Sequence, residues 1–108
     1  MKNILVYGDS QSWGFVPGAA DLKAMHFQRY DFSTRWPGRL QQLMGEDCRI
    51  IEENLCGRTT IFDDPILPDR NGLTYLPPCL LSHQPLDLVI IMLGSNDLKP
   101  HLGLKANN

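Results

Sequence analysis

Long apolar runs are missing from the 108 residues of this chain. The longest, Leu88 to Leu93, falls far short of the ~20 residues that a membrane-spanning helix needs. The opening stretch, Met1 to Asp9, reaches an acid after too few apolar residues for a secretory signal. Charge of one sign is scarce as well. With 10 Lys and Arg against 12 Asp and Glu the net charge is −2, which excludes a strongly basic nucleic-acid binder and gives anionic membranes no hold. Cysteine is sparse, and Cys48, Cys56 and Cys79 contain no C-x-x-C pair, so neither a zinc site nor a redox dithiol is indicated. They read as reduced thiols of a cytosolic protein that pack as small hydrophobes.

What remains is ordinary globular material. Apolar residues make up 43% and charged residues 20%, with 9 Gly and 8 Pro, a mix that argues against disorder, collagen and coiled coil. The length allows at most one domain with one modest core. No internal repeat or low-complexity tract interrupts it.

Three segments read as strands: Asn3 to Tyr7, Arg49 to Glu53, and Asp87 to Gly94. The third holds a continuous apolar run without alternation, which suits a parallel strand buried on both faces. Between the first two, Ser33 or Thr34 is the candidate cap of a helix with Pro37 in its first turn. Its apolar stripe is Trp36, Leu40, Leu43 and Met44, and Gly45 ends it. Leu73, Leu76, Leu80 and Leu81 predict a second helix with Pro77 and Pro78 near its start. The order βαβαβ implies a parallel sheet with right-handed crossovers. Two long stretches, Phe15 to Phe32 and Thr59 to Asn71, stay irregular, and loops of that length in a compact domain tend to be functional. The last residues, Gly103 to Asn108, close no element, so the chain is expected to be interrupted rather than finished.

In open parallel sheets, ligands bind at the carboxyl ends of the strands. Three polar clusters fall there: Gly8-Asp9-Ser10, Asn54-Leu55-Cys56-Gly57-Arg58 and Gly94-Ser95-Asn96-Asp97. The first puts a hydroxyl on a tight turn. The second offers a backbone N–H that no side chain shields. The third offers an amide N–H₂, a donor suited to a developing oxyanion. A nucleophile flanked by such donors is what acyl transfer requires.

At these residues the chain resembles the SGNH (GDSL-type) hydrolases. Gly8-Asp9-Ser10-Gln11-Ser12-Trp13-Gly14 resembles the family's first block, Asn54 to Thr60 the second, and Gly94-Ser95-Asn96-Asp97 the third; Asp87 to Lys99 looks like the bacterial arylesterase/acyltransferase branch. Each block alone is weak, and the three in order are strong. Gln11 departs from the family's usual Leu and bears on local packing more than on chemistry. The resemblance implies a flavodoxin-like three-layer α/β sandwich with strand order 2-1-3-4-5, here ending after the third strand. It implies Ser10 as nucleophile, with the Ser10 N–H, the Gly57 N–H and the Asn96 side chain as the oxyanion hole. The family's fourth block, Asp-x-x-His, supplies base and orienting acid. Here the histidines are His26, His83 and His101, preceded three positions earlier by Lys23, Leu80 and Leu98. The block is absent from these residues. Family domains run to roughly 200 residues, one ordinary α/β domain, so the expectation is an N-terminal half.

Bland roles compete at several positions. Ser10 and Asp97 are candidate helix caps, with the structural role preferred for Asp97 alone. Asp9 is expected to bond local backbone, and Arg58 to pair with a carboxylate of the long loop. Trp13, Phe15 and Trp36 suit an acyl pocket or, more often, a core. Cys56 is expected to be filler, and His101 a bystander rather than a substitute base. The functional expectation is therefore a serine esterase, with acyl transfer to alcohols as an extension. Its rival is a catalytically inactive binding or assembly fragment. Nucleotide binding is weaker, because Gly8 to Gly14 has neither G-x-G-x-x-G nor a P-loop Lys. No metal or organic cofactor is implied. The partner called for is a small ester substrate, not nucleic acid or a membrane, and homo-oligomerisation is left open.

Overall fold

The computed structural model describes residues 1–18 and 27–102; His26 and Gly103 to Asn108 lie outside them. Strand β1 (Lys2–Gly8) is central, flanked by β2 (Cys48–Glu52) and β3 (Leu88–Met92), all parallel in the order β2-β1-β3. Ile4 stands opposite both Ile50 and Leu88, and Gly8 opposite Met92. This is the expected parallel α/β sheet.

The period of two along β1 sorts the core onto two faces. Ile4 and Val6 meet Cys48 and Ile50 on one face, under Trp36 and Leu40. Leu5 and Tyr7 meet Cys79 on the other, with Leu76, Val89 and Leu93. Cys48 and Cys79 thus serve as small core hydrophobes, and all three cysteines are free thiols. Among the described residues only the central strand is covered on both faces. In β3, Leu88 is 51% and Ile91 55% exposed. The expectation that this strand is buried on both faces fails, since β1 is its only partner among the described residues.

Helix α1 is one turn, Ser10–Trp13. Helix α2 (Trp36–Met44) crosses from β1 to β2, with Pro37 in its first turn, where a missing N–H costs nothing. Ser33 and Thr34 do not cap it. Arg35 holds the cap position without a side-chain cap bond, its guanidinium clasping both oxygens of Glu52 at 2.8 Å. Trp36 and Leu40 of the expected stripe pack on the sheet, whereas Leu43 is exposed and Met44 half-exposed, so the stripe ends a turn early. Gln41 ties the helix to the strand it leads into, donating to the Cys48 carbonyl and accepting from the Ile50 N–H. Helix α3 (Gly72–Ser82) starts five residues before Pro77, because the Asn71 side chain caps the Leu73 N–H. Pro77 and Pro78 therefore lie inside the helix, not near its start. Both are on its exposed side, as are Leu73 and Thr74, whose carbonyls lose their intrahelical donors to proline. No helix among the described residues is long and apolar enough to cross a membrane.

Candidate active site

The three polar clusters meet at the carboxyl edge of the sheet. Ser10 follows β1 as the first residue of α1. It is not the cap, because Asp9 holds that position and its carboxylate accepts from the Gln11 N–H at 3.2 Å. Asp9 bonds local backbone, as expected. The turn is anchored beneath by Ser12, fully buried, whose hydroxyl receives the Trp36 indole N–H at 3.1 Å and contacts the Met92 sulfur at 3.7 Å. Asn96 and Asp97 sit in a 3₁₀ turn after β3, Ser95–Leu98.

Side chains of the third cluster grip the second. Asn96 Nδ2 donates to the Arg58 carbonyl at 3.0 Å; its second amide hydrogen is left over. Asp97 accepts from the Thr60 N–H and hydroxyl at 2.9 and 2.5 Å, so its structural role holds, though as a clamp between loops rather than as a helix cap. Lys99 Nζ reaches the Gly57 carbonyl at 3.1 Å and Asp64 at 2.6 Å. Arg58 is buried and structural, but the expected carboxylate partner is not what it meets. It donates to the Gly8 and Glu53 carbonyls and lies over the Tyr7 ring, 3.9 Å from its centroid. Flat delocalised charge tolerates that desolvated stack, and burial lowers the pKa of the group.

Ser10, Gly57 and Asn96 line one open cavity of ≈ 440 Å³. Its apolar wall is Phe15, Phe27, Ile66 and Leu67, and Cys56, Lys99 and His101 complete it. Of the three aromatics weighed for an acyl pocket, Phe15 alone lines it. Trp13 packs edge-on against Phe27, and Trp36 belongs to the core under α2. Among the described residues, neither the Ser10 hydroxyl nor the N–H of Ser10 or Gly57 is engaged in a hydrogen bond. Gly57 has φ +84°, a conformation that side chains other than glycine's rarely adopt. Cys56 is buried, as expected of a small hydrophobe. Burial pushes its thiol up to about 11 despite the nearby Arg70, so thiolate is scarce.

Asp64 organises the loop that closes the cavity, and nothing in its sequence context, a turn-forming Asp-Asp-Pro, pointed to it. Its side chain is fully buried and accepts from the Ile66 and Leu67 N–H groups, from Lys99 and, at 3.0 Å, from His101 Nε2. Burial works to raise its pKa, but the bonds from Lys99, the two N–H groups and His101 prevail and hold the carboxyl well below the usual range. Phe27 and Arg70 were likewise unmarked, because no motif or periodicity singles out a residue brought in by a loop.

A larger hollow of ≈ 650 Å³, lined by Glu53, Asn54, Arg58 and Tyr75 among others, is not lined by Ser10, Gly57 or Asn96. Near it Glu53, Cys79 and His83 place ligand atoms within 4.8 Å of one another. His83 Nε2 already bonds Glu53 at 2.6 Å and Tyr75 donates to its other oxygen. Burial pushes the Cys79 thiol up to about 11, so the cluster is satisfied without an ion.

The fold and the cavity define a class: a parallel α/β unit carrying a serine turn, a glycine N–H and an asparagine amide at the carboxyl edge of adjacent strands. Known proteins narrow it. No family model matches the chain. The aryl esterase of M. smegmatis, a solved structure, superposes with a TM-score of 0.89 at 48% identity over 97% of this chain and 47% of that one. A carbohydrate acetylesterase from Sinorhizobium meliloti gives 0.87 at 44% identity, covering 97% and 47% of the two chains. An arylesterase of Vibrio mimicus is 32% identical over 99 residues, 89% of this chain and 38% of the relative. The chain is a homologue of these SGNH-type arylesterases, and it spans about half the length, or less, of the relatives it matches.

Proposed function

We propose that the protein is a serine esterase acting on small carboxylic esters through a Ser10 acyl-enzyme. The convergence of Ser10, Gly57 and Asn96 on one apolar-walled cavity is the observation that carries this reading. Ser10 Oγ attacks the ester carbonyl while a base takes its proton. The resulting oxyanion is met by the N–H groups of Ser10 and Gly57 and by the free hydrogen of Asn96 Nδ2. Collapse expels the alcohol, and water or a second alcohol then accepts the acyl group. The names of the relatives, aryl esterase and carbohydrate acetylesterase, support carboxylic esters, acetyl esters among them, as the substrate class. The base belongs to an Asp-x-x-His block, which these 108 residues do not contain.

A second source of base is favoured by one observation. His101 lines the cavity and is bonded to buried Asp64, the pairing of imidazole and acid that a triad uses. Against it, that carboxylate is shared with Lys99, and Nε2 is turned to the acid. One assay separates the readings: p-nitrophenyl acetate turnover by the chain alone, by its His101→Ala variant, and by the chain completed with a second half bearing the block. The expected result is little turnover from the chain alone and orders of magnitude more from the completed protein, lost again in Ser10→Ala. Robust turnover of the chain alone that disappears with His101 assigns the base to His101 instead. A completed protein that hydrolyses esters equally well without Ser10 refutes both.

A further inference from the structure

The guanidinium of Arg70 is a buried cation that neither the core nor the esterase reading accounts for. The residue is 7% exposed, and among the described residues it meets no carboxylate. Nε donates to the Cys56 carbonyl at 2.8 Å and Nη1 to the Pro68 carbonyl at 2.7 Å. Two neutral carbonyls are poor compensation for a desolvated charge, and buried cations are ordinarily paired with an acid. A packing role alone would be filled more cheaply by an apolar side chain.

The carbonyl that Arg70 chooses is informative. Cys56 C=O and Gly57 N–H belong to one trans peptide group and point in opposite directions. A donor fixed on the oxygen therefore fixes the direction of the N–H, and by drawing electron density from the amide it strengthens that N–H as a donor. The restraint matters here because Gly57 crosses φ space readily. A turned peptide at this point would present an oxygen where the N–H is wanted. Lys99, itself held by Asp64, secures the next peptide through the Gly57 carbonyl. Both cations press close on the residue: a Cβ built on Gly57 would lie 3.4 Å from both Arg70 Nε and Lys99 Nζ.

We propose that Arg70 is a positioning residue for the oxyanion hole, fixing and polarising the Gly57 N–H through the Cys56 carbonyl, with Lys99 bracing the adjoining peptide. This rests on the esterase reading of Ser10, Gly57 and Asn96. It also gives a role to the Thr59 to Asn71 loop, which delivers Arg70 beneath the cavity.

The test uses the completed protein, with kcat and KM for p-nitrophenyl acetate measured separately and with a phenylboronic acid as a tetrahedral adduct of Ser10. Losing one oxyanion donor outright costs about 10²–10³ in kcat, so a donor left in place but unsteadied is expected to cost roughly tenfold in Arg70→Gln, with KM within about twofold. Arg70→Lys, which restores a cationic donor, is expected to recover part of that loss. Boronate affinity is expected to fall with kcat, while affinity for the ground-state isostere benzamide holds. If Arg70→Gln does not fold, a drop in kcat and boronate affinity in Arg70→Lys, with KM held, carries the same meaning. Folded variants with unchanged kcat overturn the role of Arg70 while Ser10→Ala remains inactive. Hydrolysis that survives Ser10→Ala removes the esterase reading and this inference with it.

Discussion

Asp64 shows how a single buried carboxylate can hold a site together without touching chemistry. Its four donors are two loop N–H groups, Lys99 and His101, so neutralising it strands a cation inside the protein. Asp64→Asn in the completed protein is expected to lower stability by about 3 kcal/mol at pH 7, the scale on which broken buried pairs are felt. The pH dependence has a definite sign. The folded pKa is depressed, so the stabilisation is full above the unfolded value of ~3.9 and drains as pH falls through and below it. Denaturation of the two proteins at pH 7 and pH 3 checks this, and the gap between them is expected to narrow in acid. A gap that widens in acid would mean that the carboxyl is protonated in the folded state at neutral pH. Under the proposed function Asn96 serves the chemistry instead. Asn96→Ala is expected to lower kcat by roughly 10²–10³ with little effect on folding, the cost of one oxyanion donor.

Helix α2 offers a prediction whose sign runs against helix propensity. Glycine inside a helix ordinarily costs about 1 kcal/mol relative to alanine, so Gly38→Ala would be expected to stabilise. Here a Cβ on Gly38 would overlap the Phe32 carbonyl oxygen and crowd its ring, because the Phe32 backbone passes directly over the helix. Gly38→Ala is therefore expected to destabilise by about 1–3 kcal/mol, the usual cost of overpacking, read as a lowered melting temperature. The same element shows where sequence reasoning succeeds. Strand runs, Pro37 in a first turn and Gly45 as a stop are local signals, and the structure uses them. Cap identity at Arg35, the exposed Leu43 and the prolines inside α3 depend on what packs nearby, which no local pattern carries. At the cavity, the meeting of Ser10, Gly57 and Asn96 was foreshadowed by the motif resemblance and by their place on turns that follow strands. Phe27, Asp64 and Arg70 were not, since long loops bring them in and nothing in their spacing announces a partner.

At the scale of the whole sheet, one edge among the described residues stands bare. A central strand sealed on both faces sits beside β3, whose outer edge has no strand beside it among the described residues and whose Leu88, Ile91 and Met92 are half-exposed. A bare apolar edge of that kind templates strand addition and aggregation. The 108-residue chain alone is expected to be poorly soluble or molten, and to become soluble when produced with a complementary second half. Analytical ultracentrifugation and thermal unfolding read this. A sharp, concentration-independent transition from a monomer counts against it. The arrangement of aromatic groups has an optical consequence. The chain's two tryptophans, Trp13 and Trp36, both touch the one-turn helix that begins at Ser10, the first as its last residue and the second through the Ser12 hydroxyl. Light absorbed only by indole is therefore emitted from beside Ser10, the proposed nucleophile, so the chain's intrinsic fluorescence is a label-free gauge of whatever occupies that serine.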